Sequence, residues 1–125
     1  METLKIEPTQ GTPEITFNSD SGLLRISGRA NANNITTFYK NLEVWLDEYL
    51  QNPAELTTVE LELDYINSVF SKLLFIFLGK CKTVLKKNKK LIVRWYHFDD
   101  DEDSIQDSKR YSIIINFPFE VIARK

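Results

Sequence analysis

Apolar and polar residues alternate from Thr57 to Ile66, which is the pattern of a strand with one buried and one exposed face. From Phe70 to Leu85 the apolar residues instead recur at helical spacing. The two patterns meet at Asn67 and Ser68, residue types whose side-chain oxygens accept hydrogen bonds from the unpaired N–H groups of a helix start. The sequence therefore predicts a strand-to-helix turn there, with a helix from about Val69 to Lys86. It places the Ser68 hydroxyl near the partly positive end of that helix, a favourable position for a phosphate.

The residues before this turn predict a short strand, a hairpin and a helix. Leu4 to Glu7 is the candidate for the first strand. Ile15, Phe17, Leu24 and Ile26 alternate with polar residues on either side of the turn-forming residues 18–22, and this pattern predicts a hairpin that ends at Gly28. A stripe of apolar residues at spacings of three and four then predicts a helix over residues 35–50, capped by Asn33 or Asn34 and stopped by Asn52 and Pro53.

The residues after the central helix contain one clear strand and one ambiguous segment. The continuous apolar character of Leu91–Phe98 predicts a strand inside the sheet. Ser104–Ile115 fits a helix that starts in the acidic residues before it, whereas the three consecutive isoleucines favour a strand over Tyr111–Phe117. Phe119–Ile122 predicts a last short strand.

This order of elements requires a mixed sheet. Strand–helix–strand units make parallel pairs and the hairpin makes an antiparallel one. We therefore expect one α/β domain over residues 1–125, with a mixed sheet packed against amphipathic helices, as in the sulfate-transporter and anti-sigma-antagonist (STAS) domains.

Composition narrows the possible functions. A chain of 125 residues that is 42% hydrophobic and 27% charged is typical of a globular protein, and its net charge of −2 gives no general electrostatic case for binding nucleic acid. The single cysteine, Cys81, lies in an apolar helical pattern, so a buried, inert thiol in a reducing compartment is expected. No signal sequence or membrane-spanning run is apparent, and we expect a cytoplasmic protein without a membrane partner.

Two charged segments offer rival sites. Asp99–Asp103 supplies hard oxygen ligands and is the candidate for a metal-dependent hydrolase, but consecutive carboxylates cannot all converge on one ion, which favours an acidic helix entry. The lysines between Lys80 and Lys90 suggest a nucleic-acid surface, although their position at a helix end favours a solvated terminus. His97 is the only histidine, which excludes a histidine triad or histidine cluster within one chain. No glycine-rich phosphate loop is present.

Short segments along nearly the whole chain resemble one known family, the SiaC-type regulatory phosphoproteins of bacteria. The matching segments are Gly11–Phe17, Gly22–Arg29, Phe38-Tyr39 with Trp45-Leu46, Leu63–Ser68 with Ser71-Lys72, Trp95-Tyr96 with Asp99–Asp103, and Pro118–Glu120. The chain departs from the family pattern at Ala30–Asn34 and at Val69 and Phe70, which interrupt a run of small hydroxyl residues.

The resemblance implies a STAS-like fold, no catalytic residues, no cofactor and no metal site. It implies that Ser68 is phosphorylated by a dedicated kinase and dephosphorylated by a PP2C-type phosphatase. Asn67, Ser71 and Lys72 would shape the partner-binding turn with Ser68. The unphosphorylated form would bind and activate a GGDEF diguanylate cyclase, in a pathway that controls cyclic-di-GMP and biofilm formation. An anti-sigma-antagonist-like module with another target is the alternative.

Overall fold

The computed structural model describes residues 1–124, which form one six-stranded sheet with three α-helices. The elements in chain order are β1 (Leu4–Ile6), β2 (Glu14–Asn18), β3 (Leu23–Ala30), α1 (Ile35–Tyr49), β4 (Leu56–Ile66), α2 (Ser68–Lys82), β5 (Lys90–Phe98), α3 (Glu102–Ile115) and β6 (Glu120–Arg124). A short 3-10 helix at Thr83–Lys87 continues α2. Within the described chain, no helix is both long and apolar enough to cross a bilayer.

The strands lie in the sheet in the same order as in the sequence. β1, β2 and β3 are antiparallel neighbours, and β3, β4, β5 and β6 are parallel. The predicted hairpin, mixed sheet, interior position of β5 and final strand are confirmed. From β3 to β6 the spatial order follows the sequence order because each helix connects one strand to its neighbouring parallel strand.

The helices cover one face of the sheet. Buried positions in β4 alternate with partly exposed ones, so that Val59, Leu61 and Leu63 belong to the core, whereas Glu60 and Glu62 belong to the other face. The core is completed by buried faces of the helices, including Leu42 and Leu46 of α1. The alternation read from the sequence is thus the pattern of a sheet with one covered side.

Ion pairs cross the open face of the sheet between neighbouring strands. Arg25 contacts Glu60 and Glu62, and Arg124 contacts Glu62 at 3.2 Å and Asp64 at 2.6 Å. Burial raises the pKa of Glu62, but hydrogen bonds and attraction from Arg25 and Arg124 outweigh it, so this pKa lies below its ordinary value. The network connects the terminal strand β6 to the centre of the sheet.

Several predicted boundaries differ from the structure. β1 ends at Ile6 rather than Glu7, and β6 runs over Glu120–Arg124 rather than Phe119–Ile122. The two differences nearest the turn concern β3 and α2. β3 does not end at Gly28 but continues to Ala30, because an irregularity between Gly28 and Arg29, with Gly28 at φ 116°, shifts the register and lets pairing with β4 resume. α2 begins one residue earlier than predicted and ends at Lys82, where the backbone tightens into the 3-10 helix.

The ambiguous segment is a helix. Asp101 caps α3 with its side chain, and Asn116 ends it in a left-handed conformation. Of the three isoleucines, only Ile115 is buried, while Ile113 and Ile114 are exposed. Because the acidic helix start and the cap satisfy the backbone, the strand propensity of the isoleucines does not decide the outcome.

Candidate functional site

The turn between β4 and α2 is fixed by the backbone and side chain of Asn67. Its N–H donates to the carbonyl of Ala30 at 2.8 Å, and its Oδ1 accepts from the N–H of Phe70 at 2.8 Å. Asn67 is therefore the N-cap of α2, and Ser68 is not. Of the two residue types that could cap this helix, the structure uses Asn67 and leaves Ser68 without a capping role.

Ser68 is the first residue of α2, and its side chain is exposed. Its hydroxyl makes no hydrogen bond to any group in residues 1–124, since the cap bond belongs to Asn67. The N-terminal turn of a helix carries unpaired N–H groups and a partial positive charge, both of which favour an anion at this position. The structure therefore leaves this hydroxyl accessible to a modifying enzyme.

Ser71 lies one turn further along and is differently placed. Its Oγ is 2.6 Å from the hydroxyl of Tyr111, so this side chain connects α2 to α3. Ser71 is half-buried. Burial raises the pKa of Tyr111, partly offset by the hydrogen bond with Ser71, and the phenol stays protonated in the neutral range.

Exposed apolar side chains lie on the turn that holds Ser68 and along the outward side of α2. Val69 is 46% exposed, Ile76 is 50% exposed, and Lys72 lies between them on the same side of the helix. At the end of β4, Tyr65 is 50% exposed, with the Arg29 guanidinium 5.6 Å from its ring centre. We call Tyr65, Ser68, Val69, Lys72 and Ile76 the switch surface.

An acidic cleft of about 310 Å³ opens at the same end of the sheet. It is lined by Asp64 and Tyr65 at the end of β4, by Trp95 of β5, and by Asp101, Asp103 and Asp107 at the start of α3, among others. These carboxylates are far apart in the sequence and line one cleft because the end of β4 and the start of α3 lie at the same end of the sheet. Ile66, two residues before Ser68, also lines the cleft, and Asp64 is paired with Arg124 at 2.6 Å.

The acidic segment Asp99–Asp103 forms the entry to α3. Asp101 Oδ1 accepts from the N–H of Ser104 at 3.0 Å, and Glu102 and Asp103 lie in the first turn. Within residues 1–124, no three His, Cys, Asp or Glu side chains are grouped so that they could hold a metal ion. The helix-entry interpretation of these carboxylates is therefore the one the geometry supports.

Several of the lysines in the second charged segment hold other elements in place. Lys80 contacts Glu43 at 3.2 Å and Asp47 at 2.8 Å in α1, and Lys82 donates to the carbonyl of Ile115. Lys87 donates to two carbonyls at the end of α1. These cations are thus occupied within the protein rather than arranged as a row for phosphates.

Cys81 and His97 are both buried. Burial raises the pKa of the Cys81 thiol, which is therefore protonated and unreactive near neutral pH. His97 Nδ1 lies 2.7 Å from the carbonyl oxygen of Phe98. We therefore interpret both residues as structural parts of the protein interior.

Asn67→Ala is expected to destabilise the protein by about 1 kcal/mol, since it removes the cap of α2. Asn34 offers a matched control, because it is the N-cap residue of α1 but makes no side-chain cap bond. Asn34→Ala should therefore cost only a few tenths of a kcal/mol. Urea denaturation of both variants measures this difference, and equal midpoints would contradict the capping role of Asn67.

The sequence did not identify Tyr65, Val69 and Ile76 as part of an exposed surface. The usable signal was that α2 has more apolar residues than one buried face can hold, because Phe70, Leu74, Phe77 and Leu78 already fill its inner side. Such an excess predicts either a helix buried on all sides or an exposed apolar face. The choice between a fully buried helix and an exposed apolar face depends on how α2 packs between α1 and α3, which only the structure shows.

Comparison with known proteins gives relatives over the whole fold. A protein of Pseudomonas aeruginosa strain UCBPP-PA14, described as uncharacterized, is 22% identical over 123 residues, 98% of each chain. The crystal structure of apo-SiaC from P. aeruginosa has a TM-score of 0.87 at 22% identity, covering 98% of this chain and 100% of that one. A chain of the crystal structure of diguanylate cyclase SiaD in complex with its activator SiaC, also from P. aeruginosa, has a TM-score of 0.88 at 21% identity, covering 97% of this chain and 99% of that one.

The six-stranded mixed sheet with three helices on one face defines a single-domain α/β protein. The model of the SiaC family of regulatory phosphoproteins matches residues 6–124. The chain therefore belongs to the SiaC family. The resemblance inferred from short segments of the sequence is confirmed.

Proposed function

We propose that this protein is a non-enzymatic switch in a bacterial partner-switching system, reversibly phosphorylated on Ser68. In its unphosphorylated form it binds a diguanylate cyclase and activates it. A Ser/Thr kinase adds the phosphate in the cytoplasm and a PP2C-type phosphatase removes it. The observation that carries the proposal is an exposed hydroxyl, free of hydrogen bonds within residues 1–124, at the first position of α2 in a member of a phosphoprotein family.

The cap at Asn67 supports this role for Ser68. Because Asn67 holds the turn through its own side chain and its N–H, modification of Ser68 does not remove a bond on which the helix depends. A phosphate brings about −1.5 to −2 charges at pH 7, and the helix N-terminus favours that charge by roughly 0.3–1 kcal/mol. The phosphorylated protein therefore keeps its fold, and the change is in what its surface can bind.

The switch surface is suited to a partner that is released when Ser68 becomes charged. Val69 and Ile76 provide apolar contact area on both sides of Lys72, and Tyr65 provides an aromatic side chain of the kind enriched in interfaces. A phosphate among these side chains would have to lose its hydration when the partner docks, and the acidic cleft adds like charge.

Lys72 is the one cation of the switch surface and is well placed to contact the kinase or the phosphate. Ser71 contributes by holding α3 beside the turn.

The choice of a diguanylate cyclase as partner rests on the relative SiaC, which is known as an activator of the cyclase SiaD. The alternative partner is another regulatory target, as for an anti-sigma-antagonist-like module. The observation that favours this alternative is Val69, which exposes an apolar side chain directly beside Ser68 where the family pattern has a small hydroxyl residue. Purified GGDEF cyclases of the same organism, tested one by one for activation, distinguish the two.

Phosphorylation of Ser68 is tested by mapping the phosphosite after the protein is expressed with its kinase. We expect a mass increase of one phosphate located on Ser68, and no increase in Ser68→Ala. Ser71→Ala should remain a substrate, because the Ser71 hydroxyl is bonded to Tyr111. A phosphate on another residue in the wild type, or an unchanged mass increase in Ser68→Ala, would contradict the assignment.

A further inference from the structure

The two edges of the sheet differ in how well they are protected against pairing with another strand. β1 at one edge has three residues, and Lys5 is the middle one. Short edge strands and edge lysines discourage association. β6 at the other edge has five residues, Glu120–Arg124, with no proline, lysine or bulge inside it. Within residues 1–124, only β5 pairs with it, so one side of its backbone is free.

Apolar side chains lie beside this free edge on the helix-covered side. Ile113 of α3 is 78% exposed, the highest value among the large apolar residues of the described chain, and Val121 of β6 is 43% exposed. Together with Phe119 they line a shallow groove of about 290 Å³, with Lys109 at its rim. A second sheet edge placed here would cover side chains that now face water.

The sequence of β6 is complementary to itself. In an antiparallel pair centred on Ile122, Glu120 comes opposite Arg124 of the second copy, and Val121 comes opposite Ala123. Both copies gain the same contacts because the arrangement has two-fold symmetry. Opposite charges therefore meet at both ends, and apolar residues meet at the axis.

The charged residues of this register are already held in position. Glu120 accepts from Arg94 at 3.0 Å, and Arg124 is fixed by Glu62 and Asp64. Because these side chains are ordered in one copy, little conformational entropy remains to be lost when a second copy approaches. They also share a face of the strand, so the two networks would join across the open face of a continuous sheet.

We propose that this protein self-associates through β6 into a two-fold dimer with a continuous twelve-stranded sheet. The two β6 strands pair antiparallel about Ile122. They form about four to six backbone hydrogen bonds, and the number depends on which residues of β6 direct their N–H and C=O groups toward the free edge. The two-fold axis is perpendicular to the sheet, so the helices of both copies lie on the same side. Ile113 of each copy then faces the groove at the dimer axis. The switch surface lies on α2 and at the end of β4, and it stays free in both copies.

The test is sedimentation equilibrium over a concentration series, with charged residues introduced at the exposed positions of β6. Wild type should approach twice the 14.6 kDa mass of one chain as concentration rises. The double variant Val121→Lys/Ala123→Lys places lysines opposite lysines across the axis and should raise the dimer dissociation constant at least about tenfold. Val121→Glu/Ala123→Glu should do the same, and an equimolar mixture of the two variants should form a heterodimer.

The matched control is Val44→Lys, which charges an exposed valine of α1. It should leave the dissociation constant unchanged. Recovery of association in the mixture excludes misfolding as the cause of the loss in each variant alone. A wild-type protein that stays monomeric at all concentrations, a dimer that survives Val121→Lys/Ala123→Lys, or a mixture that stays monomeric would each overturn the proposal.

Discussion

Ser68→Asp should weaken binding of the partner by about 10- to 100-fold, equivalent to roughly 1.4–2.8 kcal/mol. The aspartate places a charge among the apolar side chains of the switch surface, where docking must remove its water, and beside the acidic cleft. Since an aspartate carries about one charge and a phosphate up to two, the true phosphoprotein should lose more than the variant. Titration calorimetry with the purified partner measures the change.

Two controls separate the switch from a general effect of charge. Ser21→Asp adds the same charge at an exposed serine of the β2–β3 turn, next to Gly22 at the other end of the sheet, and should bind as wild type does. The melting temperature of Ser68→Asp should stay equal or rise slightly, because a carboxylate at a helix N-terminus is favourable. Unchanged or tighter binding by Ser68→Asp would contradict the account of the surface.

Gly22→Ala should have the largest effect on stability, with a loss of about 3 kcal/mol or more from conformational strain and overpacking. Gly22 lies at φ 73°, and a Cβ there would come 2.1 Å from the carbonyl oxygen of Leu56. The carbonyl of Gly22 also accepts from the N–H of Thr58, at the start of the β3–β4 pairing. Because backbone meets backbone, the clash cannot be relieved by turning a side chain. The melting temperature should therefore fall by about 10 °C or more.

Gly79→Ala is the matched substitution for this measurement. A Cβ at Gly79, in the exposed part of α2, meets nothing within 4 Å, and its φ is ordinary for a helix. The alanine should raise stability by about 0.5–1 kcal/mol through its better helix propensity. Similar melting temperatures for the two variants would mean that Gly22 is not sterically constrained.

The sheet and helices could largely be predicted from the periodicity of the sequence because one face of the sheet is covered and the other is open. That arrangement produces the clean alternation in β4 and the clear stripe in α1. The end of β3 could not be predicted, since the irregularity at Gly28 depends on pairing with β4 and has no local signal stronger than the glycine itself. The isoleucines of α3 were ambiguous because strand propensity and helix-start signals opposed each other.

The candidate site was only partly predictable. The change of period identified the turn, and residue types at helix starts identified Asn67 and Ser68, but propensity alone could not assign the cap to one of them. The hydrogen bond between Ser71 and Tyr111, and the convergence of Asp64 with the start of α3, join residues about 40 positions apart, and no local pattern reports such contacts. The function itself came from the family resemblance, since an exposed serine at a helix start is common.

The most direct test of the switch compares the protein in its two states with the same partner. Protein phosphorylated to completion on Ser68 by its kinase is titrated against the partner, then treated with the PP2C-type phosphatase and titrated again. The account predicts tight binding before phosphorylation, a loss of more than about 100-fold with the phosphate in place, and full recovery after its removal. Equal affinity of the phosphorylated and dephosphorylated protein would contradict it.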